Sequence, residues 1–168
     1  MMKCYKAPWS PLLIAVSAAV TTLCLGLALF MFSSNRGLPP WAGCLPLAIV
    51  VCTAPFAILG YEVTGDAILV HRLFWTTRLP LAGLKSAEFK PDAMRRSLRT
   101  FGNGGLFSIT GLYSNRLLGS YRAFVTDEHR TVVLRFLKRT VVVSPDEPEE
   151  FIRELPLANS TDLTAGRA

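Results

Sequence analysis

From Leu12 to Phe32 the chain runs 21 residues without a charged side chain. A helix of that length, at about 1.5 Å per residue, reaches across a hydrocarbon core of about 30 Å. The run therefore predicts a transmembrane helix over 12–32. A cleaved signal peptide carries a shorter apolar stretch, of about 7 to 15 residues, closed by a small-residue cleavage site. Here Phe32 leads into Ser33, Ser34, Asn35 and Arg36 instead. The helix-breaking types Asn35, Gly37, Pro39 and Pro40 then separate this run from a second uncharged one, Trp41 to Gly60. Together the two predict a helical hairpin, with spans over 12–32 and 41–60 and residues 1–11 as a leader. Pro46 and Pro55 predict a kink in the second span. Ala15, Ala18, Ala19, Thr22 and Gly26 recur at helical spacing and give the first span a small-residue stripe. Such a stripe lets another helix approach closely: the second span, or alternatively another copy of the chain in an oligomeric assembly.

Charge sets the orientation. Only 18% of the residues are charged, against about 25% in a soluble domain, while 51% are apolar, which excludes a fully disordered chain. Residues 1–60 carry +3 with no acid, 61–145 carry +7, and 146–168 carry −4. Lys3 and Lys6 precede the first span and seven Lys or Arg lie between Arg72 and Arg99, whereas the loop between spans has only Arg36. Both termini are thus expected in the cytoplasm, on an inner membrane. Tyr5, Trp9 and Tyr61 are expected at that interface and Trp41 at the opposite one. Cys4, Cys24, Cys44 and Cys52 all fall in or beside the spans, so no disulfide framework is expected, and no metal or cofactor either.

Past Gly60 the texture changes to short β-prone stretches divided by turn residues. Gly65-Asp66 marks a hairpin, and strands are expected over 61–64, 67–71, 76–79, 86–90, 112–114, 120–126, 131–136 and 139–143. Ser144, Pro145 and Glu147 read as cap, first-turn proline and capping-box acid of one C-terminal helix, whose stripe is Phe151, Ile152 and Leu155. The acids of the −4 zone suit the positive end of that helix. Residues 156–168 read as a flexible tail.

About seven strands followed by one helix, over 61–155, is the layout of a pleckstrin-homology barrel or sandwich. Arg99 to Leu106 with Gly102, Gly104 and Gly105, then Gly111-Leu112-Tyr113, Leu118-Gly119, Val125-Thr126-Asp127, and Ser144-Pro145 with Glu149 to Ile152 carry a family likeness. The chain resembles bacterial pleckstrin-homology-like membrane proteins with two N-terminal transmembrane helices. The resemblance implies a fold, and no catalytic residue.

The candidate site is Arg95, Arg96 and Arg99 beside the glycines Gly102, Gly104 and Gly105. Guanidinium groups grip phosphate bidentately and glycines let backbone donors approach an anion, so this stretch suits anionic lipid headgroups. No Lys-Ser or Lys-Thr follows the glycines, which argues against a nucleotide-cradling loop. For catalysis the material is His71 and the run Asp127-Glu128-His129, which would serve an interfacial enzyme or enzyme subunit; the turn-forming character of that run favours structure. Nucleic acid is not expected, because membrane tethering accounts for the basic middle zone. The reading is a non-catalytic, membrane-anchored binding or scaffold module, with a protein partner, anionic headgroups or both as its ligands.

Overall fold

The computed structural model describes residues 3–33 and 39–156, so the expected turn at 34–38 and the tail beyond Pro156 lie outside the described residues. The first apolar run is helix α1 (Pro11–Ser33). Ser10 starts it, its Oγ accepting the Leu13 N–H at 3.2 Å, with proline at the first helical position. Its most apolar stretch has a mean hydropathy of 2.4 and is only 22% buried in protein, which is not how a soluble protein treats a core helix. The second run forms a 3-10 turn (Pro40–Gly43), helix α2 (Cys44–Thr53) and a second 3-10 turn (Ala54–Phe56). It packs along α1. Among the described residues α1 alone has the length of a membrane crossing, and Trp41–Phe56 is shorter. The expected span 41–60 ends early because its last residues are recruited into a sheet.

The small-residue stripe does not face the second apolar stretch. Ala15, Ala18, Ala19, Thr22 and Gly26 are all exposed, and the buried side of α1 is Leu13, Ser17, Cys24 and Ala28. Specific contacts select that side. The Ser17 Oγ accepts the Phe107 N–H at 3.0 Å, and the Phe32 ring lies against Gly43, where a Cβ would come within 2.8 Å of it.

Among the described residues ten strands form two sheets. The first holds β1 (Lys3–Lys6), β2 (Ile58–Val63), β3 (Ala67–Arg72) and β4 (Thr76–Pro80), all antiparallel and in that order. The second is built from β5 (Leu84–Phe89), β6 (Leu98–Gly104), β7 (Ile109–Asn115), β8 (Gly119–Val125), β9 (Val132–Phe136) and β10 (Thr140–Val143). Its order is β5-β9-β10-β8-β7-β6, with β10 and β8 parallel. The closing helix is α3 (Pro148–Arg153).

The expected leader is therefore part of the domain. Residues 3–6 pair with β2, Tyr5 opposite Tyr61, and Tyr5 meets Phe151 edge-on at 5.2 Å. The acids assigned to the helix dipole hold this strand: the Lys6 N–H donates to the Asp146 Oδ1 at 3.1 Å, and Lys3 pairs with Glu150. Tyr5 and Tyr61, expected at the membrane interface, are instead 4% and 1% exposed in the core.

The main core lies between the sheets: Ile58, Tyr61, Ile68 and Val70 from the first meet Phe124, Val132, Leu134, Val141 and Val143 from the second, and Phe151 and Leu155 close it. A second core covers the other face of the six-stranded sheet, where Tyr121, Ala123, Val125, Val133 and Val142 are roofed by Ala93 and Met94 of the β5–β6 connection. Ser144 is no helix cap. It is fully buried, and its Oγ accepts the Thr126 N–H at 2.9 Å, while its own N–H donates to the Tyr61 hydroxyl at 3.2 Å. Parallel pairing sets the ends of β8 and β10 side by side, and Ser144 and Tyr61 satisfy the backbone groups left there.

Candidate functional site

The stretch read as an arginine and glycine loop is largely strand. Leu98–Gly104 is β6, antiparallel to β7, with Gly102 opposite Gly111. These glycines serve strand contact. Both have positive φ, 119° and 146°, and a Cβ on Gly111 would stand 2.8 Å from the Gly102 Cα. Gly105 forms the turn into β7, its N–H donating to the Ser108 carbonyl at 3.2 Å. Arg99, opposite Tyr113, extends over Gly104, where any Cβ would run into the guanidinium. The structure thus brings Arg99 and Gly104 together.

It does not bring Arg95 and Arg96 to them. Those two sit on the turn before β6, exposed, with Asp92 and Arg96 at φ of 56° and 57°. The turn is fixed from beneath by Ala93 and Met94 and by the Asp92 N–H donating to the Glu128 carbonyl at 2.9 Å. Its arginines are left on the outside, and neither lines a cavity that Arg99 lines.

Two adjoining cavities lie where α1 leaves the domain. The larger, about 400 Å³, has Leu12, Leu13 and Val16 as its apolar wall, with Glu128 and His129 across from them. The smaller, about 310 Å³, is lined by Ser97, Arg99 and Tyr113 and shares Gly104, Ile109 and Glu128 with the first. The pair is amphipathic: aliphatic against the helix, charged against the strands. Loss of water around its carboxyl, with Asp92 close by, raises the Glu128 pKa above the ordinary glutamate value, and His129 opposes the shift.

Asp127, Glu128 and His129 do not converge. Asp127 caps its own turn, accepting the His129 N–H at 3.0 Å, while the His129 ring reaches the Asp92 carboxylate at 2.9 Å and Glu128 turns to the cavities. His71 lies elsewhere, its Nε2 2.8 Å from Glu62 and its Nδ1 3.2 Å from the Thr76 hydroxyl. Both ring nitrogens are engaged. No group of three or more metal-ligating side chains occurs among the described residues.

The site residue that sequence reasoning misses is Arg72. On β3 it continues the inward face of Ile68 and Val70 and is 7% exposed, with the Phe56, Trp75 and Phe124 rings 5.7, 5.6 and 5.3 Å from its guanidinium carbon. The signal is present as a cation at an inward position of an alternating strand. In the charge pattern it counts only toward membrane orientation.

No curated protein and no solved structure matches the chain. The family model of the bacterial PH domain matches residues 59–158, which runs from the second residue of β2 through α3. That match covers more than half of the sequence, and the chain belongs to the bacterial PH domain family.

Proposed function

We propose that the chain is a membrane-anchored, non-catalytic binding module. In this reading α1 crosses the bacterial inner membrane, the Pro40–Phe56 stretch returns, and the PH-like domain is held at the cytoplasmic face. The pairing of β1 with β2 carries the proposal. One strand precedes the apolar helices and the other comes after them, yet they are neighbours in one sheet. Both flanks must then lie on the same side of any bilayer that α1 enters, which a single crossing forbids. By rise α1 extends roughly 34 Å and the return, part α and part 3-10, a shorter roughly 29 Å.

Bases near the surface favour the cytoplasmic side and add about 1 kcal/mol each toward anionic lipid. Arg99, Glu128 and the amphipathic cavities at the foot of α1 would stand at headgroup level. A protein partner has a separate surface: β6 is an edge strand, and Leu98 and Phe101 on it are 79% and 76% exposed. A second copy has one too, because the exposed stripe of α1 leaves Gly26 with no atom within 4 Å of a Cβ built on it. Crosslinking in native membranes through Thr22→Cys should give a dimer if that stripe is an interface.

The anchor is tested by topology. Carbonate washing should leave the chain in the membrane. Cys4, and separately Lys85→Cys in a background without the native cysteines, should react with an impermeant maleimide in inside-out vesicles and not in intact cells. Release by carbonate, or labelling of the two positions on opposite sides, overturns the reading.

A further inference from the structure

Arg72 is more than nine-tenths buried, and its guanidinium has no anionic partner among the described residues. Its Nε is fully enclosed without an acceptor, none of its guanidinium N–H groups meets one, and no carboxylate lies within ion-pair distance among the described residues. The three rings around it stabilise a cation, but they accept no conventional hydrogen bond from its five N–H groups. A cation enclosed in this way carries a desolvation penalty that a counter-charge would offset. Burial, reinforced by Arg122, lowers its pKa.

Arg122 makes the position a site. It lies two residues before Phe124 on β8, hence on the same face of that sheet, and its guanidinium carbon is 5.1 Å from the ring that Arg72 also touches. Arg122 is exposed, so one cation is enclosed at the end of the sandwich and the other stands outside it. Two guanidinium forks whose N–H groups meet no acceptor among the described residues suit a tetrahedral dianion better than a single carboxylate.

We infer that Arg72 and Arg122 together hold a phosphate group at the end of the sandwich next to the second apolar stretch. The surroundings supply two possible sources. Phe56 ends that stretch and meets Trp75 edge-on at 5.4 Å, and the β3–β4 turn leaves Leu73 47% and Phe74 75% exposed beside it. Apolar side chains flanking a phosphate site suit a phospholipid. A soluble phosphate would use the same two arginines. The lipid source rests on the membrane reading above, and the phosphate site does not.

The full chain with Trp9→Phe and Trp41→Phe has Trp75 as its sole tryptophan and reports on the site directly. It is titrated in detergent with inorganic phosphate, and with acetate at matched ionic strength, and compared in phosphatidylcholine nanodiscs with and without phosphatidylglycerol. Trp75 emission should respond to phosphate, to phosphatidylglycerol or to both, and the pattern identifies the source. Arg72→Gln should weaken the response at least about tenfold, as loss of a charge-assisted bidentate contact requires. Arg122→Gln, at an exposed position, should weaken it as well and keeps the test valid if Arg72→Gln fails to fold. Silence toward every phosphate probe, an equal response to acetate, or unchanged binding in both variants overturns the inference. Carbonate release of a chain that still binds phosphate through Arg72 would remove the anchor and leave this site standing.

Discussion

Replacing Tyr61 by Phe tests the join between the sheets. The ring is 1% exposed, and its hydroxyl donates to the Phe124 carbonyl at 2.7 Å while accepting the Ser144 N–H at 3.2 Å. Phe fills the same space and removes one oxygen, stranding a carbonyl and an N–H in a fully buried place. At about 1–3 kcal/mol for each unsatisfied group, less the gain from burying a more apolar ring, the variant should lose about 2–4 kcal/mol. A second signature separates this from a packing defect. Burial pushes the Tyr61 pKa up to about 12 from the ordinary tyrosine value of 10.0, against the lowering influence of its Ser144 hydrogen bonds. The folded state therefore holds its proton where the unfolded chain has released it. That contribution is fully present below pH 10 and is lost as the pH rises toward 12, amounting to about 3 kcal/mol. Denaturant unfolding of the full chain in detergent, monitored by near-ultraviolet circular dichroism from pH 9 to 12, should show wild type losing its margin over the variant. The other tyrosines and the lysines titrate alike in both chains and cancel in the difference. A constant gap between the two across pH 10 to 12 would refute the reasoning, as would a variant of wild-type stability at neutral pH.

Other perturbations address separate joints. Gly111→Ala forces a side chain into positive φ against the β6 backbone and should cost more than about 2 kcal/mol, with faster amide exchange confined to residues 98–115. Tyr5→Ala empties a core position on β1 and should cost about 2–4 kcal/mol, with exchange rising in β2 and α3; a residue in a mere leader would leave both unchanged.

Much of the domain is legible in the sequence because alternation and turn chemistry are local. Gly65-Asp66 lies between two strands as expected, and the run Val132 to Phe136 splits its faces, Val132, Leu134 and Phe136 to one core and Val133 to the other. Strand β6 is hidden because its glycines read as loop. Their role is visible only from the partner strand, where Gly111 faces Gly102. Ser144-Pro145 has the local grammar of a helix start, and a hydroxyl arriving from β2 overrides it. The arginines group by proximity in sequence, yet the turn at 91–97 sends Arg95 and Arg96 outward while the strand carries Arg99 to the cavity.

By itself the amino-acid sequence determined the long apolar helix, the all-β character of the domain attached to it and the closing helix, since each rests on short-range periodicity and hydropathy. Tertiary structure alone decided that Lys3–Lys6 is a strand, that Arg72 is enclosed by three rings, and which side of α1 is covered. Most partners in those contacts lie dozens of residues away, and no local pattern records which distant surface a side chain will meet.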